Sequence, residues 1–192
     1  KKKYMKKISL FLVSLMTMMS CNNQNPFLAE WDTPYSIPDF TQIQESHYIP
    51  AIEAGIAQQQ SEIEAIIANT EAPTFANVVE AYERSGAILD RVTLVLFNVS
   101  ESDATESLQK IVEQALPLIS VHSDNIFMNP DFFKKVDALF QNIDNLGLNQ
   151  EQKMVLKNLH NSFVKNGIAL GAAEQARMRE INLELSSLSH TF

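Results

Sequence analysis

The apolar residues that follow His47 recur with a helical period almost to the end of the chain. The first predicted helix begins near Pro50, which suits a first turn, and residues 69–73 interrupt its apolar stripe. Thr74 is a good cap for a second helix, which the pattern carries without interruption to Val99. A third helix starts near Thr105, and Pro117 should kink it. The stripe of the first helix comprises Ile52, Ile56, Ile63, Ile66 and Ile67.

Three further helices are predicted in the second half of the chain. Asn129-Pro130 is a cap followed by proline at the first helical position, and this helix should stop near Gly147. Asn149 and Gln152 have capping-box spacing at the start of the next. The last begins near Ala172 and places Ile181, Leu185 and Leu188 on one face. Strand-like alternation and a fixed repeat are both missing, so we predict an all-α fold, an antiparallel helical bundle with short turns.

The segment before the helices differs in character. Prolines at 26, 34 and 38 block a continuous helix and alternate with aromatic residues. We predict a polar tether and an extended Pro/aromatic arm over residues 21–46, whose aromatics pack across the helical domain of residues 47–192. The aromatics are Phe27, Trp31, Tyr35 and Phe40.

The start of the chain has the pattern of a secretory signal. Met5 suits an initiator, so residues 1–4 are expected to lie upstream of the true start. Lys6 and Lys7 then precede an apolar run over residues 8–20, too short for the about 20 residues that a membrane-spanning helix needs. Cys21, the single cysteine, follows Met18-Met19-Ser20, which resembles a bacterial lipobox. We therefore predict a signal peptide over residues 1–20 and lipid attachment at Cys21; an ordinary signal peptide beside a free cysteine is the alternative.

Charge narrows the possible partners. The net charge is −8, although lysines crowd the leader, so the mature part is more acidic still. Such a surface repels phosphate backbones and argues against a nucleic-acid partner.

Catalytic motifs are missing from the sequence. The residues after the four histidines are Tyr48, Ser123, Asn161 and Thr191, so a His-Glu-x-x-His zinc motif is absent. Nucleophile-elbow, P-loop and dinucleotide-binding motifs are absent as well. Acidic pairs such as Glu62/Glu64 and Glu80/Glu83 are better explained as solvated helix faces, and His47 and His122 as structural histidines. We predict no catalytic residue and no metal ligand in this chain.

Short motifs spread along the chain nevertheless resemble, in order and spacing, the N-terminal region of bacterial peptidyl-dipeptidases (dipeptidyl carboxypeptidases). These belong to the thimet-oligopeptidase-like family of zinc metallopeptidases, which includes oligopeptidase A. The motifs are Asn25-Pro26-Phe27-Leu28, His47-Tyr48-Ile49-Pro50-Ala51, Ala72-Pro73-Thr74-Phe75-Ala76-Asn77, Glu83-Arg84-Ser85-Gly86 with Arg91-Val92, Asn125-Ile126-Phe127-Met128-Asn129-Pro130 with Phe133, Leu146-Gly147-Leu148 with Glu151-Gln152, and Arg177, Ile181-Asn182 and Leu185.

The resemblance implies a larger helical protein with two lobes and a deep channel that admits short peptides. In that family a His-Glu-x-x-His helix and a downstream glutamate hold one zinc ion, beyond the region that this chain resembles. We therefore expect the chain to be a truncated N-terminal lobe that binds no zinc itself, is inactive alone and packs against the remainder of its own polypeptide. The full-length enzyme is expected to release C-terminal dipeptides, with oligopeptidase specificity left open.

A different class of function also fits part of the pattern. A self-contained helical lipoprotein that binds a partner or scaffolds the envelope would explain the leader and the lack of a catalytic site, but not the series of motifs. Under both hypotheses the protein is exported and resides in the periplasm or cell envelope, held to a membrane by its lipid anchor.

Overall fold

A computed structural model describes residues 25–103 and 105–188 of the chain. The predicted signal peptide and Cys21 lie outside these residues. Within them the backbone forms helices and turns and no strand, which confirms the all-α helical bundle. None of the helices described is both long enough and apolar enough to cross a membrane.

The main helices are joined by short turns. Single 3₁₀ turns at Pro34–Ser36 and Glu45–His47 precede them, and a π-helical segment spans Phe75–Glu80. The helices are α1 (Tyr48–Ala68), α2 (Ala81–Glu83), α3 (Ala87–Ser102), α4 (Glu106–Phe127), α5 (Pro130–Gln141), α6 (Gln150–Lys165) and α7 (Ala172–Leu188).

Local capping explains where several helices begin. The Thr74 hydroxyl accepts the Asn77 N–H at 3.1 Å, and the Asn77 side chain accepts the Thr74 N–H at 2.7 Å. The Asn149 and Gln152 side chains form the same reciprocal pair, at 2.8 and 3.1 Å. Asn129 Oδ1 accepts two backbone N–H groups at the start of α5. The predicted caps are confirmed, because each depends only on residues within one turn.

Two predicted helix boundaries are wrong. The helix predicted from Thr74 to Val99 is interrupted between α2 and α3, where Gly86 adopts a left-handed conformation with φ of 76°. The helix that starts at Pro130 ends at Gln141, earlier than Gly147. In both places the apolar spacing continues past the real end of the helix. Pro117 lies inside α4, which continues through it.

The buried side chains form two hydrophobic clusters. The first joins the start of α1 to α3, the first half of α4 and Phe27 from the arm. The second joins the end of α1 to the π-helical segment, the end of α4, α5 and α6. α1 contributes Ile52 to the first cluster and Ile63 to the second, and α4 contributes Val112 and Ile126 in the same way. These two long helices therefore hold both clusters together.

Gly55 lets α1 and α3 approach closely. A Cβ atom placed on Gly55 would lie 2.7 Å from the backbone nitrogen of Leu89, closer than such atoms can come. Any side chain here would push the two helices apart.

The arm contacts the bundle near both ends of its described part. Near its end, Ile43 packs on the first cluster, and Glu45 Oε1 accepts a hydrogen bond from Ser107 Oγ on α4 at 2.7 Å. Its start is held by aromatic residues. Phe27 is fully buried, with its ring centroid 5.2 Å from that of Tyr48. Trp31 donates from Nε1 to the Pro26 carbonyl at 2.9 Å. Tyr35 and Phe40, by contrast, are 95% and 56% exposed, so the expectation that all four aromatics pack on the helices is wrong for these two. Both lie beyond the contacts that hold Phe27 and Trp31.

Arg91 on α3 holds the start of the arm. One guanidinium nitrogen donates to the carbonyls of Phe27 at 3.1 Å and Ala29 at 2.7 Å. The guanidinium carbon also lies 4.8 Å from the centre of the Trp31 ring, a cation–π geometry.

Replacing Arg91 with alanine should loosen the start of the arm and lower the free energy of unfolding by about 1–3 kcal/mol, since hydrogen bonds from a charged group are lost. Denaturant unfolding measures the loss, and the fluorescence of Trp31, the single tryptophan, reports the arm directly. Arg84→Ala is the matched control, because Arg84 is exposed and pairs only with Glu80 one turn away. Equal effects of the two substitutions would contradict this role for Arg91.

Candidate functional site

The histidines that the structure describes serve structural roles. His47 Nδ1 accepts the Gln44 N–H at 3.1 Å within a 3₁₀ turn. His122 on α4 is 4% exposed, and its Nε2 lies 2.8 Å from Gln59 Oε1 on α1. Both residues are thus hydrogen-bonded within the fold, as the structural interpretation expects. His190 lies outside the described residues.

Gln59 connects three elements between the two hydrophobic clusters. Its Nε2 donates to Ser85 Oγ at 3.2 Å, so Oε1 is the acceptor and His122 Nε2 carries the proton. Ser85 Oγ in turn donates to the Tyr82 carbonyl at 2.7 Å. We call Gln59, Glu62, Ser85, Gly86 and His122 the polar junction.

Glu62 and Gly86 complete the polar junction. Glu62 Oε2 accepts the Gly86 N–H at 2.8 Å, which satisfies a backbone donor at the start of α3. A Cβ atom on Gly86 would lie 2.4 Å from Gln59 Nε2, so glycine is required both by its φ and by its neighbour. Glu62 is therefore a structural acceptor on a partly exposed helix face, a role that its interpretation as a solvated residue did not include. Glu64, one of the other acidic residues considered, is exposed and bonds only to Gln60.

The sequence also gave no signal for a contact between α5 and α6. His160 Nε2 lies 3.1 Å from Asp137 Oδ1, and its ring stacks on Phe140 with 3.9 Å between centroids. The other ring nitrogen, Nδ1, is buried and has no partner among the described residues. A buried Nδ1 cannot reach a substrate in solution, so we interpret this pair as a packing contact.

Residues 25–103 and 105–188 contain no group of three or more His, Cys, Asp or Glu side chains placed to hold a metal ion. The three histidines described lie on different elements, and each has a ring nitrogen engaged by a neighbour. These residues therefore do not fit a zinc site. Cys21, the predicted lipid attachment, lies outside the described part.

The surface of α7 has unusual features for the end of a bundle. No residue of this helix is buried, and it packs on α4. Its contacts with α4 include two polar ones, from Arg179 to Asn125 Oδ1 at 3.0 Å and from Asn182 to Asp124 Oδ1 at 2.7 Å. Its large apolar side chains are exposed by 41–61%, namely Ile181, Leu183, Leu185 and Leu188. The apolar stripe predicted from the sequence therefore faces solvent.

Comparison with known proteins gives a relationship over most of the chain. No family model matches it. It is 36% identical to dipeptidyl carboxypeptidase of Escherichia coli over 168 residues, which cover 88% of this chain and 25% of that protein. It is 25% identical to oligopeptidase A of Salmonella typhimurium, over 88% of this chain and 24% of the relative. The chain thus spans about a quarter of the length of these relatives, and the resemblance that the motifs indicated is confirmed for a segment of that size.

Burial lowers the pKa of His122 below its usual value. Well above pH 6.5 the imidazole is neutral in both the folded and the unfolded chain, so His122 does not make the free energy of unfolding depend on pH there. As the pH falls below 6.5 the unfolded chain takes up a proton that the folded chain does not, so stability decreases until the lower folded pKa is passed. The contribution of His122 to the slope of the free energy of unfolding against pH should not exceed about 1.4 kcal/mol per pH unit.

Urea unfolding of wild type and His122→Gln between pH 5 and 7 measures this effect. The part of the slope that belongs to His122 should disappear in the variant, whereas His47→Gln, which changes a less buried imidazole, should retain it. Identical slopes for wild type and His122→Gln would refute the assignment.

Proposed function

We propose that this chain, which is a segment of a thimet-oligopeptidase-like peptidase, forms a non-catalytic N-terminal lobe of an exported zinc metallopeptidase that cleaves short peptides. The observation that carries this proposal is the 36% identity to dipeptidyl carboxypeptidase over 88% of the chain. That identity exceeds the 25% and 26% found for the bacterial oligopeptidases A. The difference favours release of C-terminal dipeptides over general oligopeptidase specificity.

Zinc in this proposal is bound by the rest of the protein. The described histidines make structural contacts, and the described residues offer no set of three ligands. When bound elsewhere, the metal would lower the pKa of a water molecule and polarise the scissile carbonyl. The residues of this segment would contribute packing and a wall that limits the size of the peptides admitted.

The surface of α7 supports a partner within the same polypeptide. Four large apolar side chains on one terminal helix are exposed, which is unfavourable unless another surface covers them. The relatives are about four times longer than the matched segment, so they contain the additional chain that could do so.

The whole reading frame tests the peptidase assignment. We expect the frame to continue past residue 192 and to encode a His-Glu-x-x-His motif. The whole protein should release dipeptides from short blocked peptides and lose that activity with a zinc chelator, whereas the 192-residue chain should show no zinc-dependent hydrolysis. A stop directly after Phe192 would favour the helical envelope lipoprotein instead, and chelator-sensitive cleavage by the 192-residue chain would contradict a non-catalytic lobe.

Export and anchoring are proposed from the leader. Lys6, Lys7 and the apolar run that ends before Cys21 support a lipid-modified cysteine that holds the protein in the periplasm or at the envelope.

Palmitate labelling in a bacterial host tests the anchor. Wild type and the control variant Asn22→Ser, which retains the cysteine, should both incorporate label and fractionate with membranes. Cys21→Ser should abolish incorporation. Label that persists in Cys21→Ser, or is missing from wild type, would contradict lipid attachment at this residue.

A further inference from the structure

A polar cleft lies between α4 and α7. It has a volume of about 320 Å³ and is lined by Asp124 from α4, by Asn166 from the turn after α6, and by Asn182 and Leu185 from α7, with serine hydroxyls nearby. α4, α7 and the turn after α6 thus each contribute a hydrogen-bonding side chain to the cleft.

Asp124 is the acidic side chain of this cleft, and no cationic side chain among residues 25–103 and 105–188 forms an ion pair with it. Its side chain is 3% exposed, and its carboxylate accepts one side-chain hydrogen bond, from Asn182 Nδ2 at 2.7 Å. The ion pairs of the described residues do not include it. A carboxylate has about four acceptor positions, and buried charges in proteins are normally paired. The cleft therefore has the chemistry to receive a positive charge.

An organic cation fits better than a metal ion. Calcium and magnesium need about six oxygen ligands, usually with more than one carboxylate. Asp124 is not part of a group of three potential ligands among the described residues. A guanidinium or ammonium group instead needs one carboxylate together with neutral acceptors, and the amide oxygens of Asn166 and Asn182 and the nearby hydroxyls supply these.

The apolar surface beside the cleft indicates where the cation comes from. Leu185 lines the cleft and is 61% exposed, while Ile181 and Leu188 on the same helix are 47% and 48% exposed. A free small cation would leave these side chains in water, whereas a protein segment would cover them while it delivers the charge. The relatives contain about three quarters of their length outside the matched region.

From this combination we infer that the cleft between α4 and α7 receives the guanidinium or ammonium group of a basic side chain from the rest of the same polypeptide, with Asp124 as its counter-ion. The inference depends on the proposed function, because that function supplies the additional chain. It goes further by naming the contact that seats the lobe on the remainder of the protein.

The first test uses the 192-residue chain alone, so that no basic side chain from the rest of the polypeptide can fill the cleft. Asparagine-selective ¹⁵N labelling follows the side-chain amides of Asn166 and Asn182 during titration with N-acetyl-arginine amide. We expect a saturable shift of both amides and none with the neutral citrulline analogue. Equal responses to the two compounds, or no response to either, would overturn the inference, and so would a response to Mg²⁺ that matches that to the arginine compound.

Two substitutions on α4 sharpen this test. Asp124→Asn keeps the shape of the side chain and its acceptor for Asn182 but removes the charge, so it should weaken binding at least 10-fold. Glu113→Gln removes one charge from an exposed position of the same helix and should leave binding within about 2-fold. Equal losses would mean that the cation is attracted only by the general acidity of the surface. The comparison of arginine with citrulline on the unaltered chain remains decisive even if Asp124→Asn does not fold.

The whole protein identifies the source of the cation. If its own basic side chain fills the cleft, N-acetyl-arginine amide should no longer shift the two amides there. Binding as strong as in the 192-residue chain would show that the cleft serves a free ligand and would overturn the inference. Peptidase activity is measured on the same sample, so a protein that hydrolyses peptides yet still binds the arginine compound contradicts the inference and leaves the proposed function standing.

Discussion

The half-buried side-chain amide of Gln59 is the contact on which the arrangement of the bundle depends. It lies near the middle of α1, accepts from His122 on α4 and donates to Ser85 in the turn between α2 and α3. Loss of Gln59 would leave Nε2 of His122, a residue that is 4% exposed, without its partner, at a cost of about 1–3 kcal/mol. One side chain therefore links all three elements, in addition to their hydrophobic packing. Because this contact lies between the hydrophobic clusters, it also sets the orientation of one cluster against the other.

Two glycines make that contact possible, for different reasons. Gly55 allows α3 to approach α1 until Leu89 lies against the helix backbone, which brings the start of α3 within reach of Gln59 and Glu62. Gly86 supplies the left-handed turn that ends α2 and presents its N–H to Glu62. The distance between α1 and α3 thus determines whether the hydrogen bonds of Gln59 and Glu62 can form. A wider spacing between α1 and α3 would weaken the polar junction as well as the hydrophobic contacts.

The features that the sequence predicted are those that depend on near neighbours. Thr74, Asn129 and Asn149 cap helices through residues two or three positions away, so their spacing was sufficient. The break at Gly86 was missed because the apolar period continues through it, and because its partners, Gln59 and Glu62, lie on another helix. The contacts of Arg91 with the arm, of His160 with Asp137 and of Asp124 with Asn182 join positions distant in sequence. Periodicity and spacing contain no information about such pairs.

The motifs that revealed the relationship coincide with residues that fix the backbone. Asn25 donates to the His47 carbonyl at 2.7 Å and accepts the Phe27 N–H, which sets the start of the arm against the start of α1. Ser85 and Gly86 form the turn of the polar junction, and Arg91 attaches the arm.

Two further motif residues follow the same rule. Asn129 caps α5, and Asn182 joins α7 to α4 through Asp124. Sequence similarity at such residues indicates a similar course of the backbone. It does not show that the proteins have a catalytic group in common. This explains how a segment without a set of metal ligands among its described residues can be related over most of its length to peptidases. What the segment is shown to share with them is sequence over about a quarter of their length, and in this chain several of the motif residues are ones that fix a helical backbone.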